Sequence, residues 1–540
     1  MARTPLMHML KRATRLAAIE AHASEGAIGA LPSRRSVLIG TAASVSSMLL
    51  PLSLRAAEAR IAIVGAGLAG LTAARELKKT FGLHADVYEG NTRVGGRCFT
   101  ARGIFADNQI AEHGGELIDT DHHAIRHLAR ELGLKLTNVL GAVPPGTNAL
   151  YMFNGQPYNL ADATRDWQPI YDLVQKQSNA IGDFNYRHST RAARHFDSMT
   201  ISDWVHRVVP GGRRSQLGQL IENAFTEENA LDADKQSALC AIPTLAEDPR
   251  DNFNLYYTDS DQHYHIEGGN DQIATIIAND LGARLISATA LMAIRQLSDG
   301  RFRLSFAQSS RRFDRDYDRV ILTIPFSVMR VAVDFSRAGF RPLKVQSIDT
   351  LPMGISCKTQ LQFTRRKWYE VGCNSEIRMP AIGFDTTWDV TRGQPGEAGI
   401  FNFFAGDTQA VQAGEMEDNS LALLLMKQAE PLIPGLRRLW NGLMIKNAWQ
   451  FNPWSYGSYS TYPPGYQTTI LGIEREPEGN CFFAGEHTVN QNGFLNSAVK
   501  SGLRAAREVA ASLGQVTFAP TASAPAARTG NDAGPSAALP

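Results

Sequence analysis

The chain has 540 residues, 44% hydrophobic and 20% charged, enough apolar side chain to bury a sizeable core. Lys+Arg is 54 against Asp+Glu 53, a net charge of +1, which removes the electrostatic case for a nucleic-acid binder. Five scattered cysteines (Cys98, Cys240, Cys357, Cys373, Cys481) contain no CxxC pair, so neither a zinc site nor a disulfide framework is indicated.

Length alone allows three or four domains, or two large ones, but the ends of the chain do not read as folded. A basic leader (Arg3, Lys11, Arg12, Arg15) runs into Ser33-Arg34-Arg35-Ser36, then the weakly apolar stretch at 37–54, then Ala56, Ala57 and Ala59. Charged region, apolar region and small-residue cleavage site are the layout of an export signal, and the paired arginines point to the twin-arginine route and the periplasm. The alternative is an uncleaved anchor and membrane association. The apolar stretch is broken by Gly40, serines and Pro51, which makes it short and polar for a span. At the other end, 516–540 is expected to be a disordered tail, because Ala, Pro, Ser and Gly cannot bury enough surface to offset ordering entropy.

Folded structure is expected to start at Arg60, with RIAIVGAGLAG followed by LTAARELKK. A short apolar strand ends at Gly65 and an amphipathic helix begins within the glycines. Gly65 permits the tight turn, Gly67 lets backbone approach a pyrophosphate, and Gly70 lets helix and strand pack closely. The helix N-terminus offers free N–H groups and a positive dipole end to phosphate. A second strand, HADVYEG, ends at Glu89, where a carboxylate can accept from both ribose hydroxyls and disfavours a 2′-phosphate. Dinucleotide binding is therefore expected, with NADP disfavoured. Directly after it, GNTRVGGRCFT puts Gly95, Gly96 and Arg97 on a loop near the pyrophosphate, where a guanidinium fork could meet phosphate charge.

At this point the chain resembles the flavin amine oxidases: monoamine, polyamine and L-amino acid oxidases. Four places carry the likeness: the fingerprint at 61–89, the motif Arg93-Val94-Gly95-Gly96-Arg97, the loop AEHGGELID at 111–119, and FFAGEHTVNQNGFLNSAVKSGLRAA at 482–506. The resemblance implies a non-covalent FAD, because Ser458 stands where monoamine oxidases carry the flavin-linked cysteine. It implies that Gly114, Gly115, Glu116, Gly485, Glu486 and Leu495 lie beside the cofactor, with a helix from about Gly493 aimed at the isoalloxazine. It also implies that Lys358, in PMGISCKTQLQF, matches the family lysine that holds a water against flavin N5. Tyr459 and Phe494 would form the two walls of an aromatic cage that guides an amine. No arginine stands between Glu112 and Asp119, where secreted L-amino acid oxidases carry one for the substrate carboxylate. An acid near Asp119 is a polyamine oxidase feature that suits a second ammonium group. Arg102 or Arg126 could still recognise a carboxylate.

Two bland signals are set beside these. His123 and His127 have metal-chelating i, i+4 spacing without a supporting acid pattern, so no metal is expected, and His487 is expected to be structural. No Gly-x-Ser-x-Gly marks a hydrolase.

The expected fold class is α/β in two interleaved domains. An FAD-binding Rossmann-like domain would collect 60–145, 264–325 and 475–515. A substrate domain of mixed sheet and helices would take 146–263 and 326–474, between the 1–59 signal segment and the 516–540 tail. The expected activity is FAD-dependent amine oxidation by hydride transfer to flavin N5, imine hydrolysis, and reoxidation by O2 or a redox protein. Its partners are a small-molecule amine or amino acid, with a homodimer left open and no nucleic acid. L-amino acid oxidation, carotenoid- or porphyrin-type desaturation, and a non-catalytic flavoprotein are the alternatives.

Overall fold

The computed structural model describes residues 59–251, 253 and 261–515; the leader (apart from Ala59) and the C-terminal tail lie outside the described residues. The apolar run Ile61–Val64 is a strand with all four residues buried, as a strand covered on both faces must be. Helix Leu68–Phe81 follows, closed by Gly82 in the left-handed conformation, and strand Ala85–Tyr88 returns parallel to the first. These are the central members of a five-stranded parallel sheet in the order Cys481–Phe483, Arg319–Leu322, Ile61–Val64, Ala85–Tyr88, Leu285–Ile286. One edge strand thus comes from the far end of the chain. Its continuation, helix Leu495–Ser512, buries Val499, Ala505, Ala506 and Val509 in the same core as Leu71 and Leu77 of the first helix.

A four-stranded sheet (Arg311–Tyr317, Phe302–Gln308, Ala290–Gln296, Asp334–Arg337) packs its apolar face on the other side of the parallel sheet, where Phe302, Leu304 and Phe306 join Ala62, Val64 and Val320. The third layer is a seven-stranded mixed sheet in the order Trp440–Ala448, Ser356–Phe363, Gly399–Gly406, Phe384–Asp389, Cys373–Ala381, Asn148–Phe153, Gln156–Pro157. Its central strands Ser356–Phe363 and Gly399–Gly406 are buried throughout. Helices Leu160–Ile181, Ile201–Val208 and Gln216–Asn229 form their own apolar cluster around Trp167 and Trp204. The arrangement is the mixed α/β fold expected from sequence. Among the described residues, no helix is long and apolar enough to cross a membrane.

Candidate active-site cleft

Parallel sheets place ligands at the carboxyl ends of their strands. Here Val64, Tyr88 and Glu89 stand at those ends, and together with Thr323 and Gly485 they line one deep cleft that runs on to the seven-stranded sheet at Ser356, Lys358 and Phe404. The cleft takes in about 1450 Å³ of empty space, the open solvent at its mouth included.

At its inner end the glycine turn is built by close contacts. Gly65 adopts φ +108 and donates its N–H to Tyr88 O at 2.7 Å, and a Cβ on it would meet Thr323 Oγ1 at 2.4 Å. Gly70 lies away from the cleft; a Cβ there would fall 2.0 Å from Gly65 O, so its role is helix–strand approach. Gly67 is different: a Cβ on it would meet nothing within 4 Å, and the glycine borders the cleft. The helix it caps has no side-chain cap, which leaves its first-turn amides available to an anion. Glu89 accepts from Ala66 N and Asn91 N, both at 2.8 Å, and lines the cleft beside the turn. Open space over Gly67, uncapped amides and an adjacent carboxylate fit the phosphates and ribose of a dinucleotide.

The second glycine motif lies against the first. Gly95 N donates to Ala66 O at 2.8 Å, and Gly95, Gly96 and Arg97 all line the cleft. Arg97, expected to face phosphate, gives its Nη1 to Glu486 Oε1 at 2.9 Å and to Ser458 O at 2.6 Å. Burial alone would raise the Glu486 carboxyl; the Arg97 guanidinium and the Gly493 amide outweigh it and hold the group below the usual carboxylate range. Glu486 also accepts from Ser460, so one carboxylate ties three segments together at the cleft wall. Neighbouring His487 is buried, and burial drives its pKa down to about 3, so it stays neutral. The remaining glycines are packing positions that also border the cleft: a Cβ on Gly114 would strike Arg97 O, on Gly115 the Leu495 side chain, and on Gly485 the His487 ring.

The outer end carries the expected substrate residues. Lys358 points into the cleft from strand Ser356–Phe363, paired in register with Phe404. It is not an isolated ammonium: its Nζ donates to Glu116 Oε2 at 2.7 Å and to Gly114 O at 2.9 Å. Burial pushes the Glu116 carboxyl up, and Lys358 more than reverses this, leaving it below the ordinary range. Trp388 Nε1 donates to the other Glu116 oxygen at 2.9 Å. Glu116 therefore supports Lys358 from behind and does not line the cleft. Tyr459 and Phe494 both line it; Tyr459 donates its hydroxyl to Glu227 O at 3.0 Å, and Phe494 meets the His122 ring edge-on at 4.9 Å. Asp119 is buried behind that histidine, 3.3 Å from its Nε2, and accepts from Gln262 N, so it too stands back from the cleft. Leu495 opens helix Leu495–Ser512 at the cleft wall, with Phe494 as its cap residue.

Sequence reasoning missed Trp449, Trp454, Thr323 and Phe404. Trp449 donates to His113 O at 2.9 Å, and the Trp454 ring fills the space beside Gly90 so closely that a Cβ there would lie 2.2 Å away. Both tryptophans stand in or beside the NPWSYGSYSTYPPG segment, where aromatic density was the available signal.

Comparison with known proteins agrees with this geometry. The family model of flavin containing amine oxidoreductases matches residues 68–510. The L-amino-acid oxidase of Mus musculus is 28% identical over 467 residues, covering 83% of this chain and 70% of its own length. The flavin-containing amine oxidase A of Sus scrofa is 25% identical over 487 residues, covering 85% and 86%. Among solved structures, cyclohexylamine oxidase from Brevibacterium oxydans IH-35A superposes with a TM-score of 0.72 at 19% identity, covering 85% of this chain and all of its own. A putrescine oxidase bound to putrescine gives 0.70 at 20%, covering 84% and 99%. With a family match across most of its length and the expected cleft at the ends of its parallel strands, the chain belongs to the flavin-containing amine oxidoreductases, enzymes that act on CH–NH2 groups.

Proposed function

We propose that the protein is an FAD-dependent amine oxidase that holds its flavin without a covalent bond. The observation that carries this reading is the single cleft that joins the Gly67 turn and Glu89 at one end to Lys358, Tyr459 and Phe494 at the other. Gly67 and the uncapped helix would receive the pyrophosphate, and Glu89 the ribose of the adenosine half. Ser458 donates its hydroxyl to Gly354 O at 2.8 Å and has no thiol with which to attach a flavin.

Held there by these residues, a flavin would supply the two-electron oxidation of the carbon bearing a neutral amine, with oxygen or another acceptor restoring it. Tyr459 and Phe494 steer the amine by their ring faces and keep bulk water from its carbon. Lys358, fixed by Glu116 and Gly114 O at the cleft wall, would hold a water beside the reacting centre. The substrate imine is then hydrolysed to an aldehyde or keto product and ammonia or a smaller amine.

A second reading, L-amino acid oxidation, is favoured by the mouse relative. Against it, the two arginines that could take a substrate carboxylate are turned elsewhere: Arg102 pairs with Asp271 at 2.6 Å, Arg126 donates to Thr120 O, and neither lines the cleft. Anaerobic bleaching of the purified yellow protein by a panel of amines and amino acids separates the two. Bleaching by amines is expected; bleaching by amino acids alone overturns the reading. Acid precipitation should release FAD into the supernatant, whereas flavin retained in the pellet would contradict non-covalent binding. The leader supports twin-arginine export to the periplasm, and Arg34→Lys with Arg35→Lys should hold the protein in the cytoplasm by fractionation.

A further inference from the structure

A second recess opens on the molecule and shares no lining residue with the cleft. Three segments far apart in the chain each bring it an exposed arginine. Arg187 comes from the connection after helix Leu160–Ile181, Arg341 from the residue before helix Pro342–Thr350, and Arg475 from the turn Ile473–Arg475. Tyr186 N donates to Leu471 O at 3.0 Å and so pins the first of these segments to the third.

The charges in this recess do not cancel. Glu476 accepts from Tyr186 and Arg187 on one oxygen and from Arg341 on the other, and Glu478 accepts from Arg341 Nε at 3.0 Å. Two carboxylates thus answer two guanidinia, while Arg504 faces Glu508 at 3.8 Å. Arg475 is left over: its side chain lines the recess and bonds to no described residue. The two engaged arginines also keep spare nitrogens, since Nη1 of Arg187 and Nη1 of Arg341 meet no acceptor among the described residues. Burial raises the carboxyl of Glu508 at the same wall toward its neutral form, which lessens its repulsion of an anion.

One planar fork is enough for a carboxylate, whereas unspent N–H groups from three segments suit a tetrahedral group with several acceptor oxygens. Phe184 and Leu471 add an apolar wall against which the organic part of an ester can pack. The recess also lies behind the cleft wall. Asn490 borders it, and in the same 485–494 segment Gly485, Glu486, Gly493 and Phe494 border the cleft.

We propose that this recess binds a phosphate group, as the free ion or as a phosphate monoester, at Arg475 with Arg187, Arg341 and Asn490 beside it, and that its occupation is felt at the flavin through the 485–494 segment. The site is distinct from the Gly67 turn, and it stands apart from the question of which substrate the flavin oxidises.

The test titrates the FAD-loaded enzyme with inorganic phosphate and with phenyl phosphate in a calorimeter, ionic strength being held constant with sodium chloride. Saturable heat is expected, with an affinity at least tenfold lower in Arg475→Gln, the size of loss that follows removal of a hydrogen bond to a charged group. Arg311→Gln removes an exposed charge that does not line the recess and should leave the affinity unchanged. Tighter binding of phenyl phosphate assigns the site to an ester, and tighter binding of inorganic phosphate assigns it to the free ion. Absence of saturable heat from both overturns the proposal. Equal losses in the two variants do so as well, because they report overall charge, and so does release of FAD, because it places phosphate at the Gly67 turn.

The link to the flavin is read in the same titration. Phosphate should perturb the visible flavin band in step with the heat in the unaltered enzyme, and at least tenfold higher concentrations should be needed in Arg475→Gln. A flat difference spectrum at saturation overturns the link. Neither measurement uses an amine, so failure of the amine-oxidase reading leaves both results intact.

Discussion

Lys358 and Glu116 are 242 residues apart in the chain, and neither side chain has more than 7% of its surface exposed. Removing one member of such a buried pair leaves a charge without compensation and costs about 3–5 kcal/mol. Lys358→Met should therefore lower stability by about that amount in denaturant unfolding, while Lys358→Met combined with Glu116→Gln should recover most of it. The single variant should also slow flavin reduction or reoxidation at least tenfold; unchanged rates in both half-reactions would remove Lys358 from the site. Glu116 and Glu486 share a second consequence. Both are held below their ordinary pKa of 4.5, so the stability they contribute is fully present above that value and is lost as pH falls through their lowered values. Denaturation midpoints followed from pH 5 downward should fall, and more shallowly in Glu486→Gln. Lys358 could be singled out from alternating apolar neighbours together with the family likeness. Its partner could not, because nothing local links the two positions, and the pairing of Arg97 with Glu486 is hidden from the sequence for the same reason.

The strand–turn–helix at Ile61–Phe81 is the most legible element, because its apolar run, its glycines and the helical periodicity after them stand in one short segment. Its two inner glycines make opposite predictions. Gly70→Ala puts a methyl 2.0 Å from Gly65 O and should destabilise the fold by about 1–3 kcal/mol or more. Gly67→Ala meets no protein atom within 4 Å at φ −74, so unfolding of the flavin-free protein should change by no more than about 0.5 kcal/mol. The ratio of flavin to protein absorbance should nevertheless drop in Gly67→Ala, because the methyl enters the space a phosphate needs. Equal flavin content would show that the space is not used. Helix Gln216–Asn229 lies at the other extreme of legibility. Its apolar periodicity marks a packing helix, and Glu227 gains its partner Arg378 only when strand Cys373–Ala381 arrives beside it.

At the scale of the molecule, the parallel sheet is assembled from strands that begin at Ile61 and end at Phe483, with the other two layers built from the chain between. A chain ending before Cys481 loses an edge strand, Gly485 and Glu486, and the helix that shares its core with Leu68–Phe81. Such a truncation should be recovered without flavin, judged by the 450 nm band, although the glycine turn is intact within it; a yellow product would contradict this account. The order of strands was not legible, because short apolar runs carry no record of which neighbour they pair with.

The same topology sets a clock. At roughly 5–20 residues per second, a ribosome needs on the order of 20–90 s to pass from Ile61 to Ser512. Throughout that interval the phosphate turn exists without the wall that completes its cleft. A nascent chain arrested before Cys481 should therefore be colourless, and the cofactor becomes lodged only once the strand and helix between Cys481 and Ser512 have been made.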